Sequence, residues 1–232
     1  MKSGLKTLYK KNYKMTKQTK ITIASIIFLL VAIIDVYAVI TQTKSLEIIF
    51  KPLLMTTLVI VYLLSVKKAN FWLVSALFFS FWGDVFLLDK TNYFVFGLAS
   101  FLIAHIMYIK MSTKFLKKVS IVKILKTAII FIALFTGVLF LIKDNLGEML
   151  VPVIVYGIAI SAFGTCALLN YQQDKTIANL WLLLGAILFI ASDSLIALNN
   201  FYQPTHLFNV LIIVLYVVSQ YLIVNSMLKH NK

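Results

Sequence analysis

The chain has 232 residues, 61% of them apolar, with 22 lysines, no arginine, 8 acidic residues and a formal net charge of +14. Its mean hydropathy is +0.95, and a soluble domain is only about 45–50% apolar, so a water-soluble globule is excluded. So basic a soluble protein would suggest nucleic acid, but these lysines gather between apolar runs and leave no folded polar domain to bind it. The composition therefore implies an all-α polytopic membrane protein with membrane lipids around it and no nucleic-acid partner. The single cysteine, Cys166, excludes an intramolecular disulfide, and no His and Cys cluster at ligand spacing suggests a metal or other cofactor.

Residues 1–20 form a basic tail with Lys2, Lys6, Lys10, Lys11, Lys14, Lys17 and Lys20 and no acid; Met15 would serve as a start as well as Met1. The apolar run 21–40 is about 20 residues long, enough to span a bilayer. Asp35-Val36-Tyr37 makes a poor signal-peptidase site. Seven more spans are expected at 46–66, 70–88, 91–112, 121–142, 148–170, 177–198 and 207–228, so residues 21–228 form one transmembrane domain of eight helices. The connections are short and polar, as in Lys67-Lys68-Ala69-Asn70 and Asp89-Lys90-Thr91-Asn92. With eight spans, one side receives only Lys44, Lys51, Lys90 and Lys143. The positive-inside rule then puts both termini in the cytoplasm, and the expected location is the cell (inner) membrane. The two halves echo one another: Lys51-Pro52 and Val151-Pro152, Gly83-Asp84 and Ser192-Asp193, His105 and Tyr108 against Tyr216 and Gln220. A four-helix duplication of this kind would be a parallel repeat about an axis along the membrane normal.

Ionisable residues inside spans are the informative exceptions. An aspartate at the centre of a membrane helix costs about 2.5–3.5 kcal/mol on insertion scales, so Asp84, set in Ser80-Phe81-Trp82-Gly83-Asp84-Val85, needs a reason to be there. At about 1.5 Å per residue, Asp84 and Asp193 fall at one depth in the outer half, with Asp35 and Lys51 near it. Tyr156 and Tyr216 lie nearer the centre, and His105 and Gln220 lie slightly toward the cytoplasm. Residues three or four apart share a helix face, which aligns Ser80 with Asp84, Gly97-Phe101-His105-Tyr108, Pro152 with Tyr156, Gly185-Phe189-Asp193, and Tyr216 with Gln220. A central polar cavity opening toward the outer half gathers all of them.

Each residue also has a plainer reading. Asp35 and Lys51 at matched depth make a structural bridge, and Lys51 alone could snorkel. His105, Tyr156, Tyr216 and Gln220 could be interhelical hydrogen-bond glue. Two aspartates at one depth are harder to explain structurally, because they repel and cannot both ionise cheaply. His206 and His230 read as exposed and ordinary.

The same residues carry a family resemblance. Lys51-Pro52-Leu53, Gly83-Asp84, Gly97-Leu98-x-x-Phe101-x-x-Ala104-His105-x-x-Tyr108, Pro152-x-x-x-Tyr156, Ser192-Asp193 and Tyr216-x-x-x-Gln220 together resemble the YhhN family, which includes the lysoplasmalogenases. That resemblance implies an integral membrane hydrolase that cleaves the vinyl ether of a lysoplasmalogen or related lysolipid, giving a fatty aldehyde and a glycerophospho-headgroup. It implies Asp84 and Asp193 as catalytic carboxylates, with Lys51, His105, Tyr108, Tyr156, Tyr216 and Gln220 lining the substrate site. The chemistry fits the residues independently: protonating the β-carbon and adding water to the resulting cation asks for one protonated and one ionised carboxyl, as in glycosidases. Two rivals stay open: a transporter or proton-coupled carrier built on the same Asp, Lys and His cluster, and a lipid-binding membrane protein without catalysis.

Overall fold

The computed structural model describes residues 15–230; the first fourteen residues of the basic tail and residues 231–232 lie outside the described residues. Among these, the secondary structure is helical throughout: α1 (Lys17–Ile40), α2 (Lys44–Ser65), α3 (Phe71–Leu87), α4 (Lys90–Thr113), α5 (Ile121–Ile142), α6 (Leu150–Gln173), α7 (Ile177–Phe201) and α8 (His206–His230). Two single 3₁₀ turns, Lys143–Asn145 and Gly147–Met149, join α5 to α6, and Gly147 takes the positive φ of 51° that this junction requires. Seven of these helices are long and apolar enough to cross a membrane, and α3 is apolar but shorter at 17 residues. At 1.5 Å per residue α3 is about 26 Å long, slightly less than a bilayer core of about 30 Å.

Helix starts follow from the side chains that precede them. The side chains of Thr16, Asn70, Asp89, Ser120 and Thr176 each accept from a backbone N–H in the first turn of the following helix, satisfying groups that have no partner in the helix itself. Helix α1 begins at Lys17, so its first turn is drawn from the basic stretch rather than from the apolar run. Helix α2 begins at Lys44, which leaves Pro52 in its interior, where it removes the N–H that would have met the Ile48 carbonyl.

The distribution of polarity is inverted relative to a soluble protein. Outward faces carry Ile33, Leu134, Phe140 and Ile158, all exposed, whereas Asp35, Ser80, Asp84, His105, Asp193, Ser219 and Gln220 are buried. Only a lipid surround makes that arrangement stable, and the chain is an integral membrane protein. In lipid, helices associate through close packing rather than through the hydrophobic effect. Accordingly α3 packs on α4 and α7 on α8 most extensively, with α4 bridging to α6 and α8 closing against α1 and α2. Helix α5 is peripheral, with Thr127, Phe131 and Ile142 as its buried residues.

Small residues set the closest approaches. A Cβ on Gly83 would stand 2.5 Å from the Phe101 ring, and one on Gly185 would stand 2.7 Å from Ile223. Phe101 is buried and packs edge-on against Phe189 and Tyr216, so it has little room to retreat. Gly83→Ala is therefore expected to destabilise the bundle by about 1–3 kcal/mol, with recovery when Phe101 is also cut back to Leu. Thermal unfolding in detergent measures both; an unchanged G83A midpoint would show that α3 and α4 can part freely.

Candidate active site

Five helices bring the polar residues together. Ser80 and Asp84, one turn apart on α3, face Tyr216 and Gln220, one turn apart on α8. The Tyr216 hydroxyl donates to Asp84 Oδ2 at 2.7 Å, and the Gln220 amide donates to Ser80 Oγ at 3.3 Å. Gln220 Oε1 in turn accepts from the Tyr108 hydroxyl of α4 at 2.5 Å. The second aspartate has the same kind of support from other helices: the Tyr156 hydroxyl of α6 donates to Asp193 Oδ2 of α7. Neighbouring Ser192 donates to the Ile212 carbonyl of α8 at 3.0 Å and ties α7 to that helix.

His105 of α4 lies behind Asp193. Its Nδ1 is 2.8 Å from the Phe101 carbonyl, and its Nε2 is 3.6 Å from Asp193 Oδ2. A carbonyl can only accept, so Nδ1 carries a hydrogen and a neutral ring has a bare lone pair at Nε2. Two acceptors would then face each other, Nε2 making no hydrogen bond among the described residues. One proton between imidazole and carboxyl, on either partner, removes the conflict. Rings of Phe163 and Phe189 enclose His105 and Tyr108, with centroids 4.7 Å apart for His105–Phe189 and 5.3 Å apart for Tyr108–Phe163.

A cavity of about 650 Å³ reaches both carboxyls. Asp84, Asp193, Ser192, Tyr216, Phe101 and Lys51 line its inner part. The cavity opens at the end of the bundle formed by the α1–α2, α3–α4 and α7–α8 connections, where Gln42, Lys44, Asp89, Lys90 and His206 stand. Lys51 is 3.6 Å from Asp35, which is fully buried, so one buried carboxylate anchors the ammonium at the cavity wall. At the rim, Lys44 donates to the Leu88 carbonyl at 2.6 Å. His206 Nε2 lies 3.1 Å from the Ile40 carbonyl, and its Nδ1 can accept from Gln42 at 3.5 Å. Gln42 sits at φ 54°, an uncommon conformation for a side-chain-bearing residue. The Asn92 side-chain amide, 2.8 Å from Asp89, holds that carboxyl below the usual carboxylate range, so the rim keeps a fixed negative charge among its lysines.

Of the residues picked from sequence, Lys51, Asp84, Asp193 and Tyr216 border this cavity. Tyr156 borders two smaller apolar clefts that also touch Asp193. His105, Tyr108 and Gln220 are fully buried and lie outside the cavity lining. They face the same way as the wall residues but one layer deeper, so they hold the wall in position. The rim residues Lys44, Lys90 and His206 were not picked out. The available signal was that Lys44, Lys51 and Lys90 are three of the four lysines on the lysine-poor side.

Taken together, these features define a polytopic integral membrane protein with an internal polar cavity that carries two carboxyls on separate helices. The chain belongs to the YhhN family, whose sequence profile matches residues 46–227, a stretch that contains Lys51, Asp84, Asp193 and Tyr216 of the cavity wall. It is similar to proteins named lysoplasmalogenase from Mycobacterium bovis and Mycobacterium tuberculosis, each 33% identical over 135 residues, or 56% of this chain and 50% of the relative. The chain therefore spans about half the length of the curated relatives it matches. No solved structure matches it at a significant level.

Proposed function

We propose that the protein is a lysoplasmalogenase-like hydrolase, in which Asp193 and Asp84 cleave the vinyl ether of a lysolipid by acid and base catalysis. The observation that carries this reading is that both carboxyls, each bound by one tyrosine hydroxyl, open onto one cavity. Family membership and the names of the two relatives support the same class of reaction.

Asp193, whose Oδ2 faces His105 Nε2 at 3.6 Å, is the general acid and starts protonated. It protonates the β-carbon of the vinyl ether, and the C=C electron pair forms the new C–H bond, leaving an oxocarbenium ion. Asp84 is the ionised partner. It lies close to the developing cation and takes a proton from water as the water oxygen bonds to the α-carbon, which gives a hemiacetal. The hemiacetal collapses when Asp84 returns its proton to the glycerol oxygen and Asp193 accepts the hydroxyl proton. Fatty aldehyde and glycerophospho-headgroup leave, one water has been consumed, and both carboxyls regain their starting states. Tyr216 and Tyr156 hold the carboxyls in place, and Lys51 with the rim lysines meets the lipid phosphate. Lysine placement supports a topology with both termini in the cytoplasm and the cavity mouth on the opposite face, in the cell membrane. The like pairing of α3 with α4 and α7 with α8 supports a parallel repeat.

The test is to supply purified protein with lysoplasmalogen in heavy water and analyse the released aldehyde. Carbon protonation predicts one solvent deuterium on the carbon next to the carbonyl, together with slower turnover. Aldehyde without that label would rule out protonation at carbon, and failure to release aldehyde from any vinyl-ether lysolipid would remove the hydrolase reading.

A further inference from the structure

Asp193 stands at a junction. Besides the polar cavity it borders two narrow apolar clefts of about 50 Å³ each, one walled by α3, α4, α6 and α7, the other by α5, α6 and α7. The two are not equivalent. The first shares Leu87, Phe101, Asp193 and Ile196 with the polar cavity, so the two spaces have a common wall over several residues. The second shares Asp193 with it and otherwise runs away beneath α5. In the first cleft, Phe94 of α4 meets Phe201 of α7 edge to face at 5.6 Å, and between that contact and Asp193 lie Leu98, Val153, Ile196 and Ala197. Leu98, Ile196, Ala197 and Phe201 are only part-buried, so the cleft is not sealed from the outside of the bundle.

A vinyl ether is the point at which a lysolipid changes from polar to apolar: the glycerophosphate is on one side of the ether oxygen and the hydrocarbon chain on the other. A site that acts on it must have a carboxyl where a polar space turns into an apolar one. Asp193 meets that condition, while Asp84 borders the polar cavity alone among the three spaces. We propose that the cleft between α4, α6 and α7 receives the alkenyl chain of the lysolipid, with Leu98 and Ala197 gauging it and Asp193 at its polar end. This inference rests on the hydrolase reading and deepens it. The β-carbon, on the chain side of the ether, comes to rest beside Asp193, and the water that attacks the α-carbon arrives from the polar side beside Asp84. The division of labour between the two carboxyls then follows from which space each one borders.

The experiment uses the full chain in lipid nanodiscs and an alkyl-ether lysophospholipid with a photoactivatable diazirine in mid-chain. That probe binds without being cleaved. Adducts are expected on α4 and α7 at Leu98, Ala197 or Phe201, displaced by excess unlabelled lysolipid. Adducts at Val138 or Ile160, or adducts that no lysolipid displaces, would overturn the proposal. In parallel, Ala197→Phe is expected to reduce kcat/KM for a long-chain lysoplasmalogen at least tenfold more than for a short-chain one, whereas Val138→Phe leaves that ratio unchanged. An unchanged ratio in A197F would also overturn it. Displaceable adducts in the cleft without aldehyde release would retain the chain site and reject the hydrolase. Aldehyde release with adducts elsewhere would do the reverse.

Discussion

Asp193→Asn is expected to lower aldehyde release by about 10²–10⁴-fold, the usual contribution of a positioned general acid, while the protein stays folded. Asparagine cannot give a proton to carbon, so the first step is left to water. Its side chain nevertheless suits the pocket. With its amide oxygen in the Oδ2 position it still accepts from Tyr156, and that same oxygen faces His105 Nε2 as in the native protein, where the separation is 3.6 Å. The variant should therefore unfold close to the native temperature, which separates loss of chemistry from loss of fold. Asp84→Asn keeps the Tyr216 hydrogen bond in the same way and is expected to fall by a similar factor, through lost water activation. Initial rates of aldehyde release and thermal unfolding of both variants are the measurements. More than a tenth of native activity in Asp193→Asn would rule it out as the acid.

The second large effect concerns stability. Lys51→Met leaves Asp35, fully buried on α1, with no cation beside it. Removing one partner of a buried pair costs about 3–5 kcal/mol, because the remaining charge is uncompensated. A clearly lower unfolding temperature in detergent is expected. Asp35→Asn combined with Lys51→Met should recover most of the loss, since no charge is then left buried. Activity should behave differently: the double variant keeps a raised KM for the lysolipid, because the phosphate still lacks Lys51. Recovery of stability and KM together would mean that the lysine serves only the bridge. A single Lys51→Met variant as stable as the native chain would mean that Asp35 needs no counter-charge.

The elements that could be read from sequence were those with a sharp local signature. Eight apolar runs bounded by polar turns foretold the helices, and the spans expected from 70 and 121 start within a residue of α3 and α5. Asp84 and Asp193 stood out because a carboxylate in an apolar run has few structural reasons to exist. Spacing also put Tyr216 and Gln220 on one face. It could not say how far into the bundle each would point, since one face is about 100° wide. Hence Tyr216 reaches the cavity while Gln220 and Tyr108 lie beneath it. Phe163, which packs against His105, was hidden among 18 phenylalanines with nothing to mark it, whereas Phe189 was placed on the Asp193 face without its contact to His105. Lys44 and Lys90 were missed because the same charge serves two purposes. Counted for topology, they are a minority on the wrong side; seen in three dimensions, they stand at the rim of the cavity.

The shared wall formed by Leu87, Phe101 and Ile196 has a consequence for what happens after the bond breaks. In the proposed reaction, one molecule would occupy both spaces before cleavage, and neither half could leave without the other. Afterwards the fragments differ in the phase they prefer: the aldehyde belongs in hydrocarbon and the phosphodiester in water. A site that opens by its mouth to the aqueous side and by its cleft toward the lipid lets each product depart into its own solvent. Recombination would require both to return at once from immiscible surroundings, so partition between the two phases would disfavour the reverse of the proposed reaction.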